Sequence, residues 1–156
     1  MTTCEIKIEY LDHYQENWGP LGYAKHGDSG FDLRAAIDKE IIFDYPNIPI
    51  IVPSGIRTYI PDGYEIQIRT RSGLAAKHGL VVTNAPGTID SSYEGEIGVI
   101  CHIIAPAMAL GLFTITPGMR IAQAVVMKTP DVRLETVDAI QTGSERGAGG
   151  FGSTGV

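Results

Sequence analysis

Proline and glycine cut this chain into pieces too short for long helices. Pro53-Ser54-Gly55, Pro61-Asp62-Gly63, Ala85-Pro86-Gly87 and Thr116-Pro117-Gly118 each pair a fixed φ with a residue free to take positive φ, the combination that tight turns need. Between such turns lie short or alternating apolar runs at 5–11, 39–43, 48–52, 64–69, 96–104, 112–115, 120–127 and 132–137. Runs of that length and period read as strands. The expected fold is therefore all-β, a sandwich, jelly roll or closed barrel, with only 74–78 able to form a helical turn or two. There is no internal repeat and no linker. The 156 residues suit one core, because a chain of about 150 buries roughly 70% of its unfolded surface.

Charge and cysteine usage exclude several classes. The net charge of -6 argues against a nucleic acid polymer as partner, since such binding draws on clustered Lys and Arg. Converging arginines can still hold a small phosphorylated ligand. Cys4 and Cys101 are far apart and support neither a zinc knuckle nor a disulfide framework; reduced thiols in a cytoplasmic protein are expected. Charges among the first ten residues interrupt the apolar stretch that a signal peptide needs, so export is not expected. The longest apolar run, 99–113, is interrupted by His102 and Pro106 and falls short of the about 20 residues that span a bilayer. His13, His26, His78 and His102 lack paired metal-ligand spacing. No Gly-x-Ser-x-Gly elbow and no Gly-Lys dipeptide of a Walker A loop occur.

Chemistry concentrates in five polar, glycine-bearing segments: His26-Gly-Asp-Ser-Gly-Phe-Asp-Leu33, Arg71-Ser-Gly-Leu-Ala75, Asn84-Ala-Pro-Gly-Thr-Ile-Asp-Ser-Ser-Tyr-Glu-Gly95, Pro117-Gly-Met-Arg-Ile-Ala-Gln123 and Arg146-Gly-Ala-Gly-Gly-Phe-Gly-Ser-Thr-Gly155. On residue type alone, each admits two readings. Asp90 is either a general base for water or a solvated loop carboxylate, and Tyr93 a ligand platform or a half-buried strand aromatic. Ser72 and the turn at Gly73 suit a phosphate oxygen, while Arg71 supplies charge to it or pairs with a carboxylate across a subunit contact. Gln123 is a ligand group or a satisfied polar residue in an apolar strand. Asp32 faces away from Phe31 and Leu33, as a cap, an ion-pair partner or something more. Arg120 reads as structural. Gly147 to Gly152 fits Gly-x-Gly-x-x-Gly, but a dinucleotide motif must open a helix, and only four residues follow.

In this order and spacing the five segments resemble the motifs of the trimeric dUTPase family, and the resemblance covers nearly the whole chain. It implies a distorted jelly-roll-like β-barrel over 1–141, packed as a homotrimer, with a flexible glycine-rich lid at 142–156. It implies hydrolysis of dUTP to dUMP and pyrophosphate, which limits uracil in DNA and supplies dUMP for dTMP synthesis. By the same resemblance Asp90 activates the attacking water, Tyr93 packs under the deoxyribose, and Asn84, Gly87 and Ile89 belong to the loop that recognises uracil. Arg71, Ser72, Gly73 and Gln123 meet the phosphates. Asp32 holds waters of a Mg2+ chelated mainly by the triphosphate. In the lid, Arg146 meets the γ-phosphate, Phe151 stacks on the base, and Gly152, Ser153 and Thr154 add donors. Each site draws on three subunits: Asp32, Arg71, Ser72 and Gln123 from one, Asp90 and Tyr93 from a second, Arg146 and Phe151 from a third.

Two departures stand out. Ser92 occupies a position that is often acidic in the family, and 101–112 is more apolar than usual, which suits a subunit contact or a partner. Two rivals remain at this stage. A dCTP deaminase shares the fold, but its relatives usually continue Arg-Ser with a second serine, where this chain has Gly73. A catalytically silent nucleotide-sensing protein would keep the pocket without turnover.

Overall fold

The computed structural model describes residues 4–104, 112–140 and 143. Eleven strands run through them: β1 Lys7–Tyr10, β2 Phe31–Arg34, β3 Ile41–Phe43, β4 Ile50–Pro53, β5 Ile56–Tyr59, β6 Tyr64–Thr70, β7 Leu80–Val82, β8 Gly87–Ile89, β9 Gly98–Ile103, β10 Phe113–Ile115 and β11 Arg120–Lys128. A 3-10 turn at Glu16–Trp18 and one helix, α1 Ser72–His78, complete the described elements. All ladders are antiparallel: β2-β11-β6-β8, β4-β9-β7, β1-β5 and β10-β3. The fold is all-β and jelly-roll-like, as expected.

Alternation explains which way each strand faces. In β9, Val99, Cys101 and Ile103 are buried while their neighbours are half-buried, and in β6 Ile66 and Ile68 point inward. These residues join Leu33, Val52, Ala122 and Ala124 in one hydrophobic cluster, fed by both larger sheets. Fully burying such aliphatic side chains stabilises by about 1.5–3 kcal/mol each. In β2 the same period buries Phe31 and Leu33 and leaves Asp32 half-exposed, as the sequence implied.

Turn chemistry matches the sequence at three of the four proline–glycine turns, while Gly87 instead begins strand β8 without a positive φ. Gly55, Gly63 and Gly118 take φ of 70, 80 and 75°, which side chains rarely adopt. The helix ends at Gly79, whose left-handed backbone returns its N–H to the carbonyls of Ala75 and Leu74. The run at 132–137 is a correction. It forms no strand, and Val132, Leu134 and Val137 are 63, 92 and 52% exposed. Its alternation satisfies the pattern, but no other described strand lies beside it to take up its backbone groups. Conversely, β2, β5, β7 and β8 lie outside the expected runs, although the alternation expected around Asp32 holds in β2. No described helix is long and apolar enough to cross a membrane.

Candidate active site

The four-stranded sheet carries most of the singled-out side chains, and its register says where each lies. At one end, Gln123 of β11 stands opposite Asp32 of β2 on one side and Arg69 of β6 on the other. Strand β6 then runs out at Thr70, so Arg71 emerges beside Asp32. Its Nε donates to Asp32 Oδ1 at 2.8 Å, and its terminal nitrogen donates to the Arg120 carbonyl at 2.9 Å. Arg120 places its own guanidinium 3.5 Å from Asp32 Oδ2. Two cations thus share one half-buried carboxylate. The Arg71 ion pair therefore lies within one chain and not across a subunit contact.

Asp32, Arg120 and Gln123 line a cleft of about 140 Å³ together with Asp28, Gly30 and Arg34. Gly30 is required there by contact rather than by its dihedrals. A Cβ on it would lie 2.7 Å from Gln123 Cγ and 2.8 Å from the Ala124 carbonyl. The sequence put Gly30 inside a motif, but the reason for the glycine appears only across the sheet. Ser72 and Gly73 follow Arg71 at the exposed start of α1. A Cβ at Gly73 would meet nothing within 4 Å, so this turn is open to an incoming group.

Strand β8 runs back along β6, from Gly87 opposite Ile68 to Ile89 opposite Ile66, and the hairpin after it lies at the other end of the sheet. Gly87 is buried, and the Asn84 side-chain amide packs over it, 3.1 Å from where a Cβ would stand. Ile89 is half-buried and paired with Ile66, and Asp90 is exposed beyond it. The chain then reverses, with the Tyr93 N–H bonded to the Asp90 carbonyl at 3.1 Å. Tyr93 presents a ring that is 43% exposed, and its hydroxyl donates to the Glu96 carbonyl at 2.8 Å. That ring lines a separate groove of about 410 Å³, with Ser91, Arg57 and Tyr59.

The Asp90–Tyr93 turn does not meet the Asp32–Arg71 cluster within one chain, whereas Asn84, which precedes the Gly87–Ile68 pair, lies towards the Arg71 end. Asp90 follows the Ile89–Ile66 pair and so lies level with Glu65, whereas Arg71 leaves the far end of β6. Six residues of extended chain separate those levels, about 20 Å at roughly 3.3 Å per residue. Arg146, Phe151, Gly152, Ser153 and Thr154 lie outside the described residues.

A profile of the dUTPase family matches residues 16–155. The chain belongs to the dUTPase family. It is 41% identical to the deoxyuridine 5′-triphosphate nucleotidohydrolase of Roseobacter denitrificans over 155 residues, 99% of each chain. It is 47% identical to the protein of that name from Chlamydia trachomatis serovar L2 over 133 residues, 85% of this chain and 88% of the relative. Among solved structures it superposes on the Staphylococcus bacteriophage 80alpha dUTPase with dUPNHPP at a TM-score of 0.81 and 25% identity, covering 99% of this chain and 100% of that one.

For a dUTPase family member, what the sequence missed is support rather than chemistry. Glu96 and His13, neither of them singled out, meet at 2.8 Å beneath the hairpin. Nothing in the local pattern links residues 83 positions apart. The turn before Arg120 is braced similarly: Arg34 donates to the Gly118 carbonyl at 2.9 Å, and a Cβ on Gly118 would overlap the Trp18 indole.

Proposed function

We propose that this member of the dUTPase family hydrolyses dUTP to dUMP and pyrophosphate at sites shared between three identical subunits. The observation that carries the shared-site reading is the separation of about 20 Å along β6 between Asp90 and Arg71. A carboxylate base and a phosphate clamp that serve one substrate must come together, and within one chain they stand at opposite ends of a sheet. A neighbouring copy brings the hairpin of one subunit to the Asp32 end of the next. The segment 142–156 then acts as a lid, in which Arg146, Phe151, Gly152, Ser153 and Thr154 close over the nucleotide and exclude water.

The residues divide the work by chemistry. Asp90, exposed at the turn, takes a proton from water, whose oxygen then attacks the α-phosphorus. The bond to the bridging oxygen breaks, and its electrons leave with pyrophosphate. Ser72, Gly73, Gln123 and Arg71 hold the phosphate oxygens. Asn84 and the backbone of 84–89 read uracil: cytosine offers an amino donor where uracil has a carbonyl acceptor, so a buried site leaves it unpaired. Tyr93 lies under the deoxyribose and leaves no room for a 2′-hydroxyl.

Mg2+ fits this donor set in one way. No cluster of three His, Cys, Asp or Glu suited to a metal ion occurs among the described residues. Asp32 already faces two guanidinium groups and suits hydrogen bonds from the water shell of a cation that the triphosphate chelates. Such an ion lowers the cost of gathering negative charge at phosphorus. On this reading the protein works in the cytoplasm, limits uracil in DNA and supplies dUMP for dTMP synthesis.

The test is pyrophosphate release from each deoxynucleoside triphosphate with magnesium, alongside the mass in solution. Release from dUTP alone by a particle of three chains is the expected result. Ammonia from dCTP would turn the reading to a deaminase, and dUTP bound but uncleaved would turn it to a nucleotide sensor.

A further inference from the structure

Glu96 joins three segments far apart in the chain, directly behind the Asp90–Tyr93 turn. Its Oε1 accepts the Gly55 backbone N–H at 2.7 Å and faces His13 Nε2 at 2.8 Å. A carboxylate only accepts, so His13 donates. The backbone carbonyl of Glu96 in turn accepts the Tyr93 hydroxyl. The next residue is fixed as firmly: the Ile97 N–H donates to the Ile56 carbonyl at 3.0 Å, and Ser54 donates to the Ile97 carbonyl through both its N–H and its hydroxyl, at 3.1 and 2.6 Å.

The base of this assembly has no slack. The Leu11 N–H donates to the Gly55 carbonyl at 2.8 Å, which ties the His13 segment to the same turn. A Cβ on Gly55 would come within 2.7 Å of Ala36 Cβ and 3.0 Å of Tyr14 Cβ. Above it, the Tyr93 ring folds back over Gly95, where a Cβ would lie 2.5 Å from the Tyr93 hydroxyl. The height of the ring is therefore set by the Glu96 backbone, which is held by its side chain's grip on Gly55 and His13 together with the bonds of Ile97.

We propose that Glu96, clamped by His13 and Gly55, is a positioning residue that fixes the Tyr93 ring and so sets how strictly deoxyribose is chosen over ribose. This rests on the substrate reading above, in which Tyr93 underlies the sugar. A ring free to drop opens the space that a 2′-hydroxyl needs, so loosening the clamp admits UTP more than it slows dUTP.

The experiment measures kcat and KM for dUTP and UTP with the full chain and with Glu96→Ala, Glu96→Gln and His13→Ala. Loss of both side-chain hydrogen bonds in Glu96→Ala lowers the ratio of kcat/KM for dUTP over UTP by about 10-fold, and loss of one in His13→Ala by about threefold. Glu96→Gln stays within about twofold of the parent, because its amide oxygen accepts the same two donors. An unchanged ratio in both alanine variants overturns the proposal, as does a glutamine variant that behaves like alanine. If Glu96→Ala does not fold, His13→Ala against Glu96→Gln decides on the same terms. If the parent cleaves neither nucleotide, the substrate reading alone falls, and the clamp is judged by amide hydrogen exchange at residues 90–95. Faster exchange in His13→Ala then supports it, and unchanged exchange overturns it.

Discussion

Arg71 and Asp32, 39 positions apart, share a hydrogen bond of 2.8 Å from Nε to Oδ1, and the same guanidinium is held on its other side by the Arg120 carbonyl. The pair is 27 and 24% exposed, so its contribution to folding is at most about 1 kcal/mol after solvent screening. Its larger effect is orientation, since two fixed N–H groups aim the remaining ones. Arg71→Ala should shift the melting temperature little and, with the phosphate contact proposed for it, lower kcat/KM for dUTP by about 10- to 100-fold, the loss of one charge-assisted hydrogen bond. Full activity in that variant would leave Arg71 only the task of holding Asp32.

Asp90 is exposed at its turn, which gives it access to water and no structural load. Asp90→Asn should slow turnover by about 100-fold or more and leave nucleotide binding nearly intact. Calorimetric titration with a non-hydrolysable dUTP analogue, set beside pyrophosphate release, separates the two effects. Unchanged turnover would falsify the assignment.

Gly30 lies against Gln123 with no space for a methyl group. Gly30→Ala should cost about 1–3 kcal/mol of stability by overpacking. It should also displace the Gln123 side chain, raising KM for dUTP more than it lowers kcat. Denaturant unfolding and steady-state kinetics on one preparation check both; a destabilised variant with an unaltered KM would remove Gln123 from the substrate contacts.

Thr58 is 8% exposed, and its hydroxyl has no hydrogen-bond partner among the described residues. A buried hydroxyl without a partner carries an uncompensated desolvation cost. Thr58→Val keeps the shape and the β-branch, so it should raise the unfolding free energy by about 1 kcal/mol with kinetics unchanged. A lower denaturant midpoint would mean that the hydroxyl finds a partner in the assembled protein.

Cys101 is fully buried on β9, and burial pushes its thiol from an ordinary 9.0 up to about 12. Between those values the unfolded chain gives up the proton and the folded chain keeps it. Stability from this group is thus complete below pH 9 and is lost as the pH rises towards 12. Denaturant midpoints should fall more steeply with pH in the parent than in Cys101→Val. At neutral pH iodoacetamide should label Cys101 only on unfolding, because the thiolate is the reactive form.

Much of this protein was legible before any coordinates. Proline–glycine turns and short alternating runs implied an all-β fold, because those residues set backbone angles locally and the period of two follows from the pleat. The same period turned Asp32 away from the core between Phe31 and Leu33. Where locality failed, the reading failed with it. Residues 132–137 have the alternation of a strand, but pairing needs a second strand at the right place. Strands β7 and β8 are short and sit between turn residues, and their pairing with β9 and β6 defines them.

The sequence by itself determined the fold class, the turns and the order of the five segments, since each depends on residue type and near neighbours. Only the tertiary structure decided that Arg71 grips Asp32, that Asp90 stands at the opposite end of the sheet, and that His13 and Glu96 meet behind Tyr93. Those relations depend on strand register and on contacts between positions tens of residues apart, and no local pattern encodes a distance across space.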